Sequence, residues 1–178
     1  QNDIQLLQKK LDETTHELRK VNYRNDELDN YIRRENLRFY GIGEQPGEDT
    51  EMVLRKFIRD ELKIPEPDAM AIEFQRVHRL HGQRSRDRPR GIIARFVRYK
   101  DREKVRKSAG NLKDTAYSVR EDYSQGVLQK RRELMPLLKQ ARRDIKRAFL
   151  VAEKLYIDGN IYNKVQNVRN KETDENDD

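Results

Sequence analysis

The sequence predicts an α+β protein made of an N-terminal parallel coiled coil, a βαββαβ domain and a small basic α+β domain. Apolar residues recur every three and four positions over 4–32, and the pattern changes to strand-like alternation from residue 37. Helical spacing returns after residue 124 and is followed by an Asp158-Gly159 hairpin signal. We expect domains at 1–35, 36–122 and 123–171, with an acidic, disordered tail over 172–178.

Composition restricts the functional classes. The chain has 178 residues, of which 40% are charged, and it has no cysteine. Disulfides, thiol catalysis and cysteine-based zinc sites are therefore excluded, and no run of 18 apolar residues indicates a membrane span. Residues 75–107 carry 13 basic and 3 acidic side chains, and residues 123–171 carry 12 and 4. Two such basic concentrations indicate a polyanionic partner.

The N-terminal segment holds one heptad register over four heptads, which is typical of a coiled coil. Because no other segment matches its length and period, the predicted partner is another copy of the chain. Thr14 and Asn25 are polar at core positions, and Asn25 either sets the register or holds an anion or water in its layer. The pattern leaves dimer and trimer open. The predicted oligomer contacts are Ile4, Leu7, Leu11, Leu18, Val21, Arg24, Asn25, Leu28, Asp29 and Ile32.

The middle domain is predicted from six segments in the order strand, helix, strand, strand, helix, strand. Strands are expected over 37–42, 72–80, 91–97 and 116–120. One helix should begin at Asp49 or Thr50 and stop before Pro65, and a second should run from 101 to 109. In the third strand, Ile92, Ala94 and Phe96 should point to one face.

This order resembles the split βαβ plan of RNA-recognition-motif domains, which are ferredoxin-like. The motif is noncanonical, because Arg38 replaces the stacking aromatic of the first strand, and Ile92 and Ala94 replace those of the third. Base stacking should therefore be weaker, and Arg38 and Arg95 should contact the nucleic-acid backbone. The alternative is a ferredoxin-like domain without an RNA role.

The last domain should begin with a basic helix after Ser124. Pro136 has no amide hydrogen, so we expect it to start a second helix after Met135. Apolar pairs on either side of Asp158-Gly159 predict a hairpin.

Together, the coiled coil, Arg76-Val77-His78-Arg79 and the Leu128–Glu133 segment before Pro136 resemble the first-open-reading-frame protein of LINE type 1 retrotransposons. The resemblance implies a parallel homotrimer that binds single-stranded RNA and DNA, acts as a nucleic-acid chaperone and packages the element's transcript. It implies cytoplasmic ribonucleoprotein particles with access to the nucleus. The family's trimer signal corresponds to Arg24–Asp29, with Asn25 and Asp29 as departures, and its RNA-binding arginines correspond to Arg131 and Arg132.

Enzyme, metal and cofactor functions are not expected. His78 and His81 are spaced as metal ligands can be, but the sequence shows no third ligand to join them, and no catalytic motif is present. The rival function is a coiled-coil scaffold, which would not show salt-dependent RNA binding. The side chains predicted to bind nucleic acid are Arg38, Arg76, Arg79, Arg84, Arg86, Arg88, Arg90, Arg95, Lys130, Arg131, Arg132, Arg142, Arg143 and Lys154.

Overall fold

The structure is a computed structural model that describes residues 2–83 and 88–162. The chain is α+β, as predicted. It divides into two compact units, one formed by Glu27–Asp122 and the other by Gln1–Asp26 with Tyr123–Asp178. The predictions for Arg84, Arg86 and the tail over 172–178 lie outside the described residues.

Helix α1 spans Asn2–Arg33 without a break. Its apolar heptad positions are uncovered in the single chain, because the seven apolar side chains of the predicted interface are each more than half exposed. Thr14, one of the two polar core positions, donates its hydroxyl to the carbonyl of Lys10 at 2.7 Å. The helix therefore presents an apolar stripe, interrupted at Thr14 and Asn25, that remains mostly exposed in the single chain.

The unit formed by Glu27–Asp122, which we call the sheet unit, contains four strands and two main helices in the predicted βαββαβ order. The strands lie side by side in the order β2-β3-β1-β4, and every neighbouring pair is antiparallel. The helices between the strands are α2, the short α3 that was not predicted, and α4. The bounds are β1 Asn36–Tyr40, α2 Thr50–Asp60, α3 Glu66–Ala71, β2 Phe74–Arg79, β3 Ile92–Phe96, α4 Tyr99–Ser108, a 3-10 turn Ala109–Leu112 and β4 Ser118–Glu121.

One face of the sheet forms the core with α2 and α4. Leu37 and Phe39 of β1 are fully buried there, and the alternation predicted for β3 is confirmed. Phe39 packs edge-on against Phe57 of α2, with ring centroids 6.0 Å apart. Asp49 caps α2 by accepting hydrogen bonds from two backbone amides of its first turn. The core positions of β1 and β3 leave the alternate residues on the opposite face.

Helix α4 is tied to the sheet by a buried guanidinium. Arg102 is 4% exposed and donates to Glu121 of β4 at 3.0 Å and to its neighbour Glu103. Hydrogen bonds from Arg106 and from Arg102 lower the pKa of Glu103 to about 2, against a smaller opposing effect of burial. Glu103 is therefore ionised in the folded chain at any ordinary pH.

In the other unit, the part that begins at Tyr123 packs one helix against a three-stranded sheet of order β5-β6-β7. We call this part the C-terminal unit. Its elements are α5 Gln125–Arg143, β5 Ala148–Val151, β6 Lys154–Ile157 and β7 Asn160–Ile161. The prediction that Pro136 starts a second helix is wrong, because α5 continues through it. Apolar residues on both sides of Pro136, Leu134 and Leu138 among them, pack on the same cluster, and this burial outweighs a penalty of about 3 kcal/mol for an interior proline.

The hairpin predicted at Asp158-Gly159 is confirmed. Both residues have positive φ, 50° and 87°, and they join β6 to β7 as a two-residue loop. The Asp158 carboxylate also accepts a hydrogen bond from the backbone amide of Arg147 at 2.9 Å.

Candidate nucleic-acid interface

The face of the four-stranded sheet opposite α2 and α4 carries three of the side chains predicted to bind nucleic acid, Arg38, Arg76 and Arg95. We call this surface the outer face. It is formed by alternate residues of each strand, as the strand pairing requires. Its members are Asn36, Arg38, Tyr40, Arg76, His78, Ile93, Arg95, Ser118 and Arg120.

Arginines lie directly opposite each other on the outer face. Arg76 of β2 pairs in register with Arg95 of β3, and Arg38 of β1 pairs with Arg120 of β4. Like charges at directly opposed positions of an antiparallel pair are destabilising. Arg95 is 3.3 Å from the Glu35 carboxylate, whereas Arg76 and Arg120 have no ion pair within the described residues. The face therefore holds cationic charge that the described part of the chain does not neutralise.

A fully buried carboxylate restrains one edge of this face. The Asp122 side chain is 0% exposed and accepts hydrogen bonds from Arg38 at 2.6 Å and from Arg33 at 3.2 Å. The Asn36 amide donates to the same carboxylate at 2.9 Å. Arg38 was predicted to contact nucleic acid, but its guanidinium is held by Asp122 and is only 29% exposed. Binding of a phosphate by Arg38 would have to compete with this carboxylate.

Three polar atoms of the outer face are buried without a hydrogen-bond partner: Asn36 Oδ1, His78 Nδ1 and Arg95 Nε. Native proteins rarely leave such atoms unpaired, because each one costs about 1–3 kcal/mol. Burial, together with the positive charges of Arg76 and His81, lowers the pKa of His78. This shift favours the neutral imidazole, and the face combines unpaired hydrogen-bonding groups with excess positive charge.

Two arginines of the prediction have structural roles instead. A bulge between Phe74 and Arg76 shifts the alternation of β2, so that Arg79 points to the core side of the sheet and is 9% exposed. Its guanidinium binds Glu48 at 2.7 Å and three backbone carbonyls at 2.6–2.8 Å. All five N–H donors of Arg79 are used within the chain, so a phosphate contact there would require one of these hydrogen bonds to break. Arg90 is held by the nearly buried Glu44 carboxylate and is 31% exposed.

Tyr40 and Arg120 were missed as site residues. The Arg120 guanidinium carbon lies 5.3 Å from the centroid of the Tyr40 ring on the outer face. The sequence gave no sign of this contact, because the two residues are 80 positions apart and meet only when β1 pairs with β4. Strand pairing was needed to find them.

The C-terminal unit presents a second basic surface on α5. Arg132, Lys139 and Arg143 are exposed and fall on one side of the helix at spacings of seven and four residues. We call these three residues the basic stripe. None of them has an ion pair with a carboxylate in the described ranges. The basic stripe is therefore available to a polyanion.

The neighbours of the basic stripe instead hold the sheet of the same unit. Arg131 donates to the carbonyl of Ala152 in the β5–β6 turn at 2.5 Å, and Arg142 donates to the carbonyl of Ala148 at 3.1 Å. Arg131 also lies 4.9 Å from the Tyr123 ring centroid. In each Arg-Arg dipeptide of α5, one member donates to a backbone carbonyl of the three-stranded sheet or its turn, and the other belongs to the basic stripe.

The remaining predicted residues are dispersed. Lys130 lies 3.9 Å from Glu153 and 5.8 Å from the Tyr23 ring centroid, whereas Lys154 and Arg88 are exposed. Over residues 2–83 and 88–162, no three His, Asp or Glu side chains come together as metal ligands, His78 and His81 included. The same ranges contain no helix long and apolar enough to cross a membrane.

No family model matches this chain, and no curated protein sequence is similar to it.

Proposed function

We propose that this protein binds single-stranded RNA and DNA through the outer face and the basic stripe, and that it does so as a homotrimer joined by α1. The observation that carries the proposal is the register of the sheet, which sets Arg76 opposite Arg95 and Arg38 opposite Arg120. A bound phosphate backbone would relieve the repulsion within each pair and supply an acceptor for the unpaired Nε of Arg95. A scaffold protein gains nothing from opposed cations.

The strand order supports reading the sheet unit as a noncanonical RNA-recognition motif. Those domains bind single strands on the sheet face that their helices leave uncovered, and the order β2-β3-β1-β4 belongs to that plan. The face carries Arg38 and Arg95 at the centre in place of exposed aromatics, so most of the affinity should come from phosphate contacts. Little base-sequence selectivity is expected.

The uncovered stripe of α1 supports oligomerisation. Seven large apolar side chains of the heptad pattern are each more than half exposed, and a helix of this kind is stable in water when its stripe packs on partner helices. Three copies would gather three outer faces and three basic stripes on one strand. Weak individual sites then become avid through effective concentration.

We further propose the role of the retrotransposon first-open-reading-frame protein, which packages its own transcript and assists annealing and melting. Electrostatic contacts with single strands exchange rapidly, and this exchange is what a chaperone of strand annealing needs. The resemblance in the Arg76–Arg79 and Leu128–Glu133 segments motivates this assignment.

The test is the salt dependence of binding to a fluorescent single-stranded RNA, followed by anisotropy. The wild-type protein should show a steep negative slope of log affinity against log salt. Arg76→Gln with Arg120→Gln should reduce that slope by about 1.4, since each phosphate contact on a single strand contributes about 0.7. The matched control is Lys56→Gln, because Lys56 is exposed on α2, on the core side of the sheet.

Binding without a salt dependence, or an equal effect of Lys56→Gln and the arginine changes, would contradict the outer face as the interface. Absence of any binding would favour the scaffold function. Mass in solution, measured by sedimentation equilibrium with and without the oligonucleotide, reports the trimer separately.

A further inference from the structure

On the outer face, the Tyr40–Arg120 pair brings an aromatic ring and a planar guanidinium together. We propose that Tyr40 and Arg120 form a stacking site for one unstacked nucleobase, with purines preferred over pyrimidines. This inference rests on the proposed binding of single strands and adds to it a contact that recognises the base.

The Tyr40 ring has a defined seat on the sheet. Gly91, which precedes β3, is buried beneath it, and a Cβ atom at that position would lie 2.8 Å from one ring carbon and 2.9 Å from another. Real Cβ atoms do not approach aromatic carbons so closely, so only glycine lets the ring rest directly on the backbone. The ring is therefore fixed against the sheet by packing and keeps part of its surface exposed.

Arg120 is exposed and has no carboxylate partner among residues 2–83 and 88–162. The Arg120 guanidinium carbon lies 5.3 Å from the Tyr40 ring centroid. An arginine that is not paired with an acid keeps a flat, weakly hydrated surface that stacks on aromatic groups. A nucleobase can stack on this surface or displace the guanidinium and stack on the ring.

A second tyrosine–arginine pair in the same unit shows what a purely structural contact looks like. Arg102 lies 5.7 Å from the Tyr99 ring centroid, but Arg102 is buried and bound to two glutamates. Its plane cannot receive a base. Tyr99 is 53% exposed on α4, away from the outer face, and so provides a matched control.

The experiment compares three single-stranded probes of equal length: an all-adenine DNA, an all-thymine DNA and a base-free abasic strand with the same phosphate backbone. Tyr40→Leu keeps an apolar side chain on Gly91 but removes the stacking ring. We expect it to weaken binding of the adenine strand about tenfold, since stacking of one base contributes about 1–3 kcal/mol. The loss should be smaller for the thymine strand and absent for the abasic strand.

Arg120→Lys separates planarity from charge. It keeps the positive charge, so the salt slope should stay at the wild-type value while discrimination between the adenine and abasic strands decreases. Tyr99→Leu should change none of these values. A direct readout is Tyr40→Trp, because the chain has no tryptophan of its own. Its fluorescence should be quenched by the adenine strand and unchanged by the abasic strand.

Equal losses of Tyr40→Leu on all three probes, or no loss on any of them, would overturn the stacking site. Salt-dependent binding by the wild-type protein in the same experiment would still support the proposed function. Quenching of Tyr40→Trp by the abasic strand would overturn it as well. If the wild-type protein binds none of the three probes in a salt-dependent manner, both proposals fail.

Discussion

The Asp122 carboxylate provides the sharpest test of how the outer face is held. Asp122→Asn keeps the size of the side chain and removes its charge. The two guanidiniums that it neutralises, on Arg33 and Arg38, then face a neutral amide whose NH2 group competes with their own donors. The variant therefore leaves the partly buried Arg38 without its counter-charge and leaves Arg33 with Asp29 as its carboxylate partner.

The size of the effect follows from the exposure of the three side chains. Removal of one partner from a fully buried ion pair costs about 3–5 kcal/mol, because the remaining charge is left without compensation. Asp122 is 0% exposed, but Arg33 and Arg38 retain 33% and 29% exposure, so water solvates part of the orphaned charge. We expect a loss of about 2–4 kcal/mol in the free energy of unfolding of the sheet unit.

Urea denaturation at one fixed protein concentration measures this loss, and hydrogen exchange of the β1 and β4 amides assigns it to the sheet unit. Asp60→Asn is the control, since Asp60 pairs with Arg59 at the surface of α2 and its loss should leave the midpoint unchanged. A loss below about 1 kcal/mol for Asp122→Asn would refute the argument that this buried carboxylate neutralises Arg38.

Three further predictions concern assembly, pH and the helix α5. Leu18→Asp with Leu28→Asp places charge in the predicted interface between α1 helices, so sedimentation equilibrium should show monomers. Persistent trimers would mean that other contacts join the copies. The pKa of Glu103 in the folded chain is about 2, below its ordinary value of 4.5, so its ion pairs stabilise the fold fully above pH 4.5 and lose that effect as pH falls towards 2. Glu103→Gln should therefore lower the midpoint of urea unfolding at pH 7 but not at pH 2. An equal decrease at both pH values would contradict the assignment. Arg132→Gln should weaken RNA binding and leave the thermal midpoint unchanged, whereas Arg131→Gln should lower the thermal midpoint by removing the contact with the β5–β6 turn. Anisotropy measures the binding of both variants and calorimetry measures their thermal midpoints. The reverse pattern would contradict the two roles.

Local periodicity was sufficient for much of the sheet unit. Alternation in β3 predicted which of its residues are buried, because the strand has one face in the core and its side chains follow a period of two. The same alternation placed Arg95 on the face opposite the core, and the predicted RNA-recognition plan placed Arg38 there. Neither could reveal Glu35 and Asp122 as their partners, since those contacts depend on tertiary packing.

The failures share a physical cause, which is that tertiary packing overrode a local signal. The bulge between Phe74 and Arg76 changes the phase of β2 and turns Arg79 inward, and no residue in that strand marks the bulge. Pro136 has an interior-helix penalty, but the apolar cluster on both sides of it decides the outcome. The stacking contact of Tyr40 with Arg120 depends on the register between β1 and β4, which periodicity does not specify.

If the outer face binds nucleic acid as proposed, its opposed arginines link the amount of folded protein to the amount of nucleic acid. A ligand that binds only the folded state stabilises it by about 2.7 kcal/mol when present at 100 times its dissociation constant, and here it would also remove a repulsion built into the fold. A copy of the chain made in excess of its nucleic acid is then the less stable form and the better substrate for proteolysis. Degradation of unbound copies would hold the ratio of protein to nucleic acid near the binding stoichiometry, without a separate regulator of synthesis.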